Sequence, residues 1–397
     1  MDDHDHRTLG PRLELFHQQE EAPGTAFWHP RGATLYRVIE TYIRAEMRRG
    51  GFREVRTPQL VARALWERSG HWAKFAANMF VFEDGERAFA LKPMNCPGHV
   101  QVFRHGVRSY RDLPLRLSEF GACHRYEPSG ALHGLMRARA FTQDDAHVFC
   151  LPEHVDGEVE RFCALLRRVY ARFGFDDYVI GFSTRPEARE GSDELWDLAE
   201  SRLAAAACNA GLAYRVQPGE GAFYGPKLEF ILRDRDGREW QCGTIQLDLV
   251  LPERLDAEYV DAEGRRARPW MIHHAVLGSI ERFTAVLLEH HRGQLPFWLA
   301  PDQVAVAPVA DAHVQCAREV VDAFEAAGLR CVLLEPSESL GRRIVYAHDH
   351  GIPVFATVGA QEVSSGTVTL RERGGARSLL SIADAVSQLN GRDAAGN

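Results

Sequence analysis

Along this chain the apolar positions switch between two periods. GATLYRVIETYIRAEMRRGGF places Leu35, Val38, Ile39, Tyr42, Ile43 and Met47 three or four apart, the spacing of one helix face. Gly50–Gly51 mark its predicted end. An extended piece, FREVRTPQL, follows. From there to about residue 298, strand-like runs (LPLRLSEFG, MRARAFTQDDAHVF, PKLEFILRD, EWQCGTIQLDLVL) alternate with amphipathic helical stretches. Strand runs in adjacent pairs predict an α+β domain with an antiparallel sheet, not a doubly wound parallel one. LPFWLAPDQ reads as a boundary, beyond which the pattern is βαβαββα. The expected division is a polar lead-in over 1–28, a large α+β domain over 29–298 and an α/β module over 299–397. No repeat or low-complexity segment interrupts it.

One predicted strand has an unusual face. In AFTQDDAHVF, Phe141, Val148 and Phe149 supply apolar bulk, yet Gln143, Asp145 and His147 recur at every second position. Alternate side chains of a strand share a face, so these polar groups converge, and counting backwards adds Arg137 and Arg139. Such a face is either solvated or a ligand site.

Composition narrows the setting. With 397 residues, 45% hydrophobic and 26% charged, the chain is long enough for two or three ordinary domains. No apolar run approaches the ~20 residues of a membrane span, and MDDHDHRTLG is the opposite of a signal peptide. The expectation is a cytoplasmic protein with no membrane partner. Eight scattered cysteines without a CxxC pair fit reduced thiols. The net charge of −8 argues against a surface coated for nucleic acid. Only Lys74, Lys92 and Lys227 are lysines, so arginine carries nearly all the positive charge.

Two constellations carry candidate chemistry. Cys96 in LKPMNCPGHV sits where Pro97 and Gly98 predict a tight turn, His147 lies on the polar strand face, and His273 in WMIHHAVLGSIERF is placed at the start of an apolar helix. One cysteine and two histidines would make a three-ligand zinc site with an open fourth position, although His99 and His274 offer the same chemistry. Separately, HRYEPSG sets Arg125 and Glu127 two apart before a turn, after which the polar strand would return as a hairpin. GSIERF places Arg282 in a helix. Arginines so placed suit phosphate. Neither a P-loop nor a dinucleotide fingerprint is present.

These residues resemble a known family. HRYEP is similar to the second signature of class II aminoacyl-tRNA synthetases, GSIERF to their third motif, and the FREVRTP segment around Pro58 to their first, dimer-forming motif. MNCPGH, SYRDLPLR, EPSGALHGLMR, FTQDDAHVFC, AFYGPKLEF, WQCGT and LGSIERF resemble, in order from about residue 29 to 298, the threonyl-tRNA synthetase family. The resemblance implies zinc held by Cys96, His147 and His273, with L-threonine filling the open position through its amino and hydroxyl groups. It implies a threonine pocket of Asp145, Gln143, Tyr224, Gln246 and Met94. ATP, with Mg²⁺, would meet Arg125 at the α-phosphate, Glu127 at adenine, Arg137 at the γ-phosphate, and Gln241, Thr244, Ser279 and Arg282. Arg125, Arg282 and Lys227 would serve the activation step and His71 would act as base for transfer to threonine tRNA. A homodimer through the first motif is also implied.

Departures from the family pattern shape the expectation. The N-terminal editing region is missing from this sequence, so serine mischarging is the expected weakness. His274 stands where arginine is expected, and Ala140 replaces a glycine. The C-terminal module resembles the anticodon-binding domain more loosely: residues 300–397 hold 8 arginines, no lysine and 12 acids. Its candidate base contacts are Glu362 and Arg371, with Arg373 beside them. The leading expectation is threonine activation and charging of threonine tRNA. The alternative is a relative that loads threonine onto a carrier protein or small molecule, and a non-catalytic regulator is disfavoured because no ATP or zinc residue is lost.

Overall fold

A computed structural model describes residues 3–234, 236–375 and 377–395. They form two compact units, one of Gln19–Thr25 and Glu40–Val286, the other of Met1–Gln18, Ala26–Ile39 and Leu287–Asn397. The periodic helix is present as α1 (Pro30–Arg49), with Leu35, Ile39, Ile43 and Met47 buried, and the chain turns out of it at Gly51. Among the described residues no helix is long and apolar enough to cross a membrane.

The larger unit is built on an eight-stranded sheet. Its strands are β1 (Arg53–Glu54), β2 (Leu115–His124), β3 (Ala140–Cys150), β4 (Val179–Ser183), β5 (Arg215–Gln217), β6 (Lys227–Arg233), β7 (Glu239–Asp248) and β8 (Trp270–Ser279), in the order β5-β4-β6-β7-β8-β3-β2-β1. The six-strand run from β4 to β2 is antiparallel throughout, and only the short edge strands pair in parallel. Helix α2 (Cys96–Arg104) serves one face of this sheet. Helices α3 (Val155–Phe173) and α4 (Asp193–Asn209) cover the other. The final element is α5 (Ile280–His290).

Three local expectations are corrected here. His273 lies in the middle of β8, not at the start of a helix: Ile272 is buried on one face and His273 is turned to the other, the period of two that a ten-residue buried strand needs. Cys96 begins α2 with Pro97 in the first turn, where a proline's missing N–H costs nothing, so Cys-Pro-Gly opens a helix and is not an isolated turn. The regular strand starts at Ala140, and Arg137 belongs to a preceding turn closed by a His133–Arg137 bridge.

The second unit contains a five-stranded sheet. β9 (Val304–Pro308), β10 (Cys331–Leu333) and β11 (Val354–Val358) are parallel, and β12 (Thr367–Glu372) and β13 (Arg377–Ser381) are added antiparallel, in the order β10-β9-β11-β12-β13. Helices α6 (Val314–Ala326), α7 (Leu340–Asp349), α8 (Ala360–Ser365) and α9 (Ile382–Ala395) complete it. The sequence pattern anticipates all of these but α8, which has only six residues, and β13, an edge strand with no buried residue to mark it. The N-terminal segment is folded as well: helix His6–Arg12 and the pairing of Phe16–His17 with Phe27–Trp28 bury Leu9, Leu13, Leu15 and Phe16.

Candidate functional site

Strand register explains the polar face of β3. Directly paired residues put their side chains on the same side of a sheet. One row runs Leu117↔His147↔His273↔Gln246↔Lys227 across β2, β3, β8, β7 and β6, and the next contains Glu119↔Asp145↔Ala275↔Thr244. Five strands thus deliver two carboxylates, two imidazoles, an amide and an ammonium to one surface. Helix α2 approaches that surface closely at its start. A Cβ on Gly121 would lie 2.2 Å from Asn95 Oδ1, so glycine at 121 is what lets the helix entry come down.

Cys96, His147 and His273 bring one ligating atom each to within 4.8 Å of one another, and all three residues are buried. Tyr224 stacks on His273 with centroids 4.8 Å apart. Asp145 stands at the edge of the trio, its Oδ1 3.8 Å from His147 Nε2 and its Oδ2 accepting from Asn95 at 3.0 Å. His71, also fully buried, places Nε2 3.5 Å from Cys96 Sγ and Nδ1 2.8 Å from Ser69 Oγ. Burial pushes its pKa down to about 3, so its ring is neutral.

The rival histidines separate by position. His274 faces the opposite side of the sheet, packed on Phe52 and Phe162. His99 lies behind His147, Nδ1 to Nδ1 at 2.8 Å, outside the trio.

The donor set is chemically suited to a cation. Asp248 Oδ1 accepts from the backbone N–H of Val250 and Leu251, and Oδ2 lies 2.8 Å from His273 Nε2. A carboxylate so engaged accepts a hydrogen bond from Nε2–H of the ring, and in that tautomer Nδ1 turns its lone pair inward. That nitrogen is 2.9 Å from His147 Nε2. Two lone pairs at that distance repel unless a cation or proton stands between them. Burial, with Asp145 and Asp248 nearby, raises the Cys96 thiol well above its ordinary pKa. A cation is what would make it a thiolate.

Beside the trio opens a cleft of about 310 Å³. Its walls include the residues expected around threonine (Met94, Gln143, Tyr224, Gln246) and those expected around the nucleotide (Arg125, Glu127, Arg137, Gln241, Thr244, Ser279, Arg282), together with Lys227. Arg125 is held by Pro93 O at 3.2 Å and lies 5.0 Å from the Phe141 ring centre. Arg282 donates to Met136 O and Gln241 O, both at 2.9 Å. Burial lowers its pKa and the charges of Arg125 and Arg137 lower it further. Three guanidiniums crowd one wall, which is an electrostatic debt that an oligophosphate would cancel. Arg137 reaches toward Glu127 at 3.9 Å.

A buried carboxylate outside the sequence expectations shapes this wall. On the far face of β3, Asp144 accepts the N–H groups of Val276, Leu277 and Gly278, each at 2.9 Å, where the pairing of β8 breaks between Ala275 and Ser279. Gly278 has φ +82, and a Cβ there would meet Cys242 O at 2.6 Å. This kink aims Ser279 and Arg282 into the cleft. Asp144→Ala leaves three buried amides unpaired and is expected to cost about 3 kcal/mol at ~1 kcal/mol each. Urea denaturation measures that loss, which should be at least twice the loss from Ala146→Gly one position along the strand. Asp144, Asp248, Glu119, His99 and Asn95 were all missed as partners of the site. Asp144, Asp248 and Asn95 sit one or two residues from an expected contact and His99 three from Cys96, but Glu119 lies six from Arg125, and spacing alone does not give the pairing.

Residues 80–291 match the family model of the tRNA synthetase class II core domain (G, H, P, S and T), and residues 303–392 match that of an anticodon binding domain. The curated threonine–tRNA ligase of Gluconacetobacter diazotrophicus is 53% identical over 388 residues, covering 97% of this chain and 60% of that protein. A crystal structure described as the RNA binding domain of threonyl-tRNA synthetase from Cryptosporidium parvum Iowa II is 40% identical, covers 98% of both chains and superposes with TM-score 0.95. A putative threonyl-tRNA synthetase, ThrRS-1 of Aeropyrum pernix, is 30% identical over 99% of this chain and 97% of its own, with TM-score 0.84. The chain belongs to the class II aminoacyl-tRNA synthetases and, within them, to the threonyl-tRNA synthetase family. It spans about 60% of the length of the curated relatives it matches.

Proposed function

We propose that the chain activates L-threonine with ATP, supplied as its magnesium complex, and transfers the threonyl group to threonine tRNA. The observation that carries this reading is the adjacency of two sites: a buried Cys/His/His trio beside Asp145, and a cleft walled by three arginines that reaches it through Tyr224, stacked on His273, and Gln246, paired with His273. Zinc fits the trio by its donor set, and when bound it supplies a Lewis-acid position that accepts an amine and a hydroxyl. Asp145 is placed to accept the hydroxyl proton of threonine, and Gln143, Tyr224, Gln246 and Met94 enclose the small side chain.

Activation needs no protein nucleophile. The threonine carboxylate oxygen forms a bond to the α-phosphorus while the bond to the bridging oxygen breaks, and pyrophosphate leaves with that electron pair. Arg125 and Arg282 neutralise charge on the reacting phosphate and hold it in line, while Glu127 suits the exocyclic amine of adenine and Arg137 the outer phosphate. Lys227 lines the same cleft, paired with Gln246 at the end of the row, and is proposed to serve the activation step from there. Transfer requires a base, and the neutral ring of His71 is the proposed one. We assign the catalytic domain to 29–298 and the anticodon-binding-type domain to 299–397, with 1–28 leading in. The FREVRTP segment is the proposed homodimer contact, and a role in translation places the protein in the cytoplasm.

In the second unit, Glu362 on α8 accepts from Gly359 N at 2.9 Å and Thr369 Oγ1 at 2.7 Å. Thr369 and Arg371 lie two apart on β12 and so share a face. Glu362 and Arg371 therefore stand together as base-reading candidates. Arg371→Ala is expected to lower tRNA charging 10- to 100-fold, the worth of about 1–3 kcal/mol for one base contact, while leaving pyrophosphate exchange unchanged. Equal effects on both assays would remove Arg371 from tRNA recognition. The function itself is tested by pairing threonine-dependent ATP–pyrophosphate exchange with charging of threonine tRNA. Both are expected. Exchange without charging would favour a non-tRNA acceptor, and absence of exchange would contradict the whole reading.

A further inference from the structure

The ligand His147 does not end at its outer ring nitrogen. Its Nδ1 meets His99 Nδ1 at 2.8 Å, His99 Nε2 meets Glu119 Oε2 at 3.1 Å, and Glu119 is clamped by Thr57 and Lys92. Every member except Thr57 is buried to within a few per cent. Resting on the zinc reading above, we propose that His99 and Glu119 are positioning residues that fix the ring tautomer of His147 and hold it in register with Cys96.

Proton placement follows from donors that have no choice. Glu119 Oε1 accepts the Thr57 backbone N–H at 2.8 Å and the Lys92 ammonium at 3.0 Å. Lys92 also donates to Thr57 Oγ1 at 2.8 Å, so that hydroxyl turns its own proton to Glu119 Oε2, also 2.8 Å away. Glu119 is thus an acceptor in every contact. His99 must then carry its proton on Nε2 and offer a lone pair at Nδ1. A doubly protonated His99 would add a second buried cation beside a Glu–Lys pair that already balances, which is costly. His147 must therefore carry its proton on Nδ1, leaving the Nε2 lone pair facing His273 and Cys96.

The geometry does more than choose a tautomer. Cys96 and His99 are three apart on α2, the spacing of neighbours on one helix face. The same helix turn thus supplies one ligand directly and grips a second through its ring. Asp248 plays the equivalent part for His273 in a single step. The two arms differ in reach: one ends in the loop after β7, the other in Thr57, beside Pro58 of the FREVRTP segment. A merely structural network would hold helix to sheet but would have no reason to end on a ligand nitrogen.

The test has two readings. In metal-free protein labelled with ¹⁵N-histidine, ring nitrogen shifts should show His147 protonated on Nδ1; an unprotonated Nδ1 would overturn the proposal. In His99→Phe, which fills the space but breaks the relay, zinc affinity measured against a chromophoric chelator should fall 10- to 100-fold. The cobalt(II)-substituted variant should show a shifted visible spectrum. His99→Asn can still accept from His147 through Oδ1 and should recover most of the affinity. Parental affinity and an unchanged cobalt spectrum in His99→Phe would overturn the assignment. If the parent protein takes up neither zinc nor cobalt, the zinc reading fails, and if His99→Phe does not fold, its affinity cannot be compared; in both cases the His147 tautomer decides the positioning claim.

Discussion

Arg282→Ala is expected to reduce threonine-dependent pyrophosphate exchange by about 10³-fold, the upper range for removing one preorganised donor to a developing charge. The expectation rests on how this guanidinium is held. Two carbonyls, Met136 O and Gln241 O, fix its plane from different strands or turns, and Ser279 Oγ caps the N–H of residue 282. It therefore reaches the transition state without reorganising. Arg282→Lys should recover little, because an ammonium cannot reproduce a planar two-carbonyl anchor while facing a phosphate. Steady-state exchange kinetics separate the effect: kcat should fall far more than the KM for threonine rises, since the lost contacts are with the nucleotide. A tenfold loss or less would mean that Arg125 and Arg137 carry the charge alone.

Cys96→Ser is expected to abolish stoichiometric zinc and raise the KM for threonine more than 100-fold. Serine keeps the size of the side chain but has a hydroxyl too weakly acidic to become an anionic ligand. Stripping the parent protein with a chelator should give the same loss, and zinc should restore activity to the parent and not to the variant. Metal analysis with exchange kinetics checks both halves. The variant should remain folded, because Cys96 is one of many buried groups in a cluster including Val100, Phe103, Leu251 and Met271. Full activity in Cys96→Ser would remove the metal from threonine recognition.

Much of this architecture was legible because long elements show their period. Helix α1 shows its apolar face at helical spacing, β2 and β7 run long enough for burial to alternate in part, and β6 shows as a continuous apolar run. The polar face of β3 was legible for the same reason, and register then joined Gln143, Asp145 and His147 to His273 and Gln246. The misreadings arose where period was ambiguous. WMIHHAVLG is apolar on both sides of His273, because its outward-facing residues are themselves buried against α2 and Tyr224, so strand and helix could not be told apart. Short α8 and the exposed edge strand β13 left no apolar pattern. The carboxylates behind the site, Asp144, Asp248 and Glu119, were invisible for a different reason. Each acts on a residue 20 or more positions away or on another strand, as with Asp144 and Val276 or Asp248 and His273, and only folding reveals such pairs. Family resemblance chose among Cys96, His147, His273, His99 and His274. In the structure Cys96, His147 and His273 converge, while His274 points through the sheet and His99 lies behind His147.

The central claim is that a hydroxyl-reading, metal-centred pocket beside the arginine wall activates threonine. The most direct measurement is ATP–pyrophosphate exchange by zinc-loaded protein with threonine, serine and valine in parallel. Threonine should support exchange, serine should support it more weakly, and valine, isosteric but without the hydroxyl, should be rejected by roughly 10⁴-fold, as expected where a site built to bind a hydroxyl is left unpaired. Valine activated within tenfold of threonine, or no exchange with threonine at all, would contradict the account.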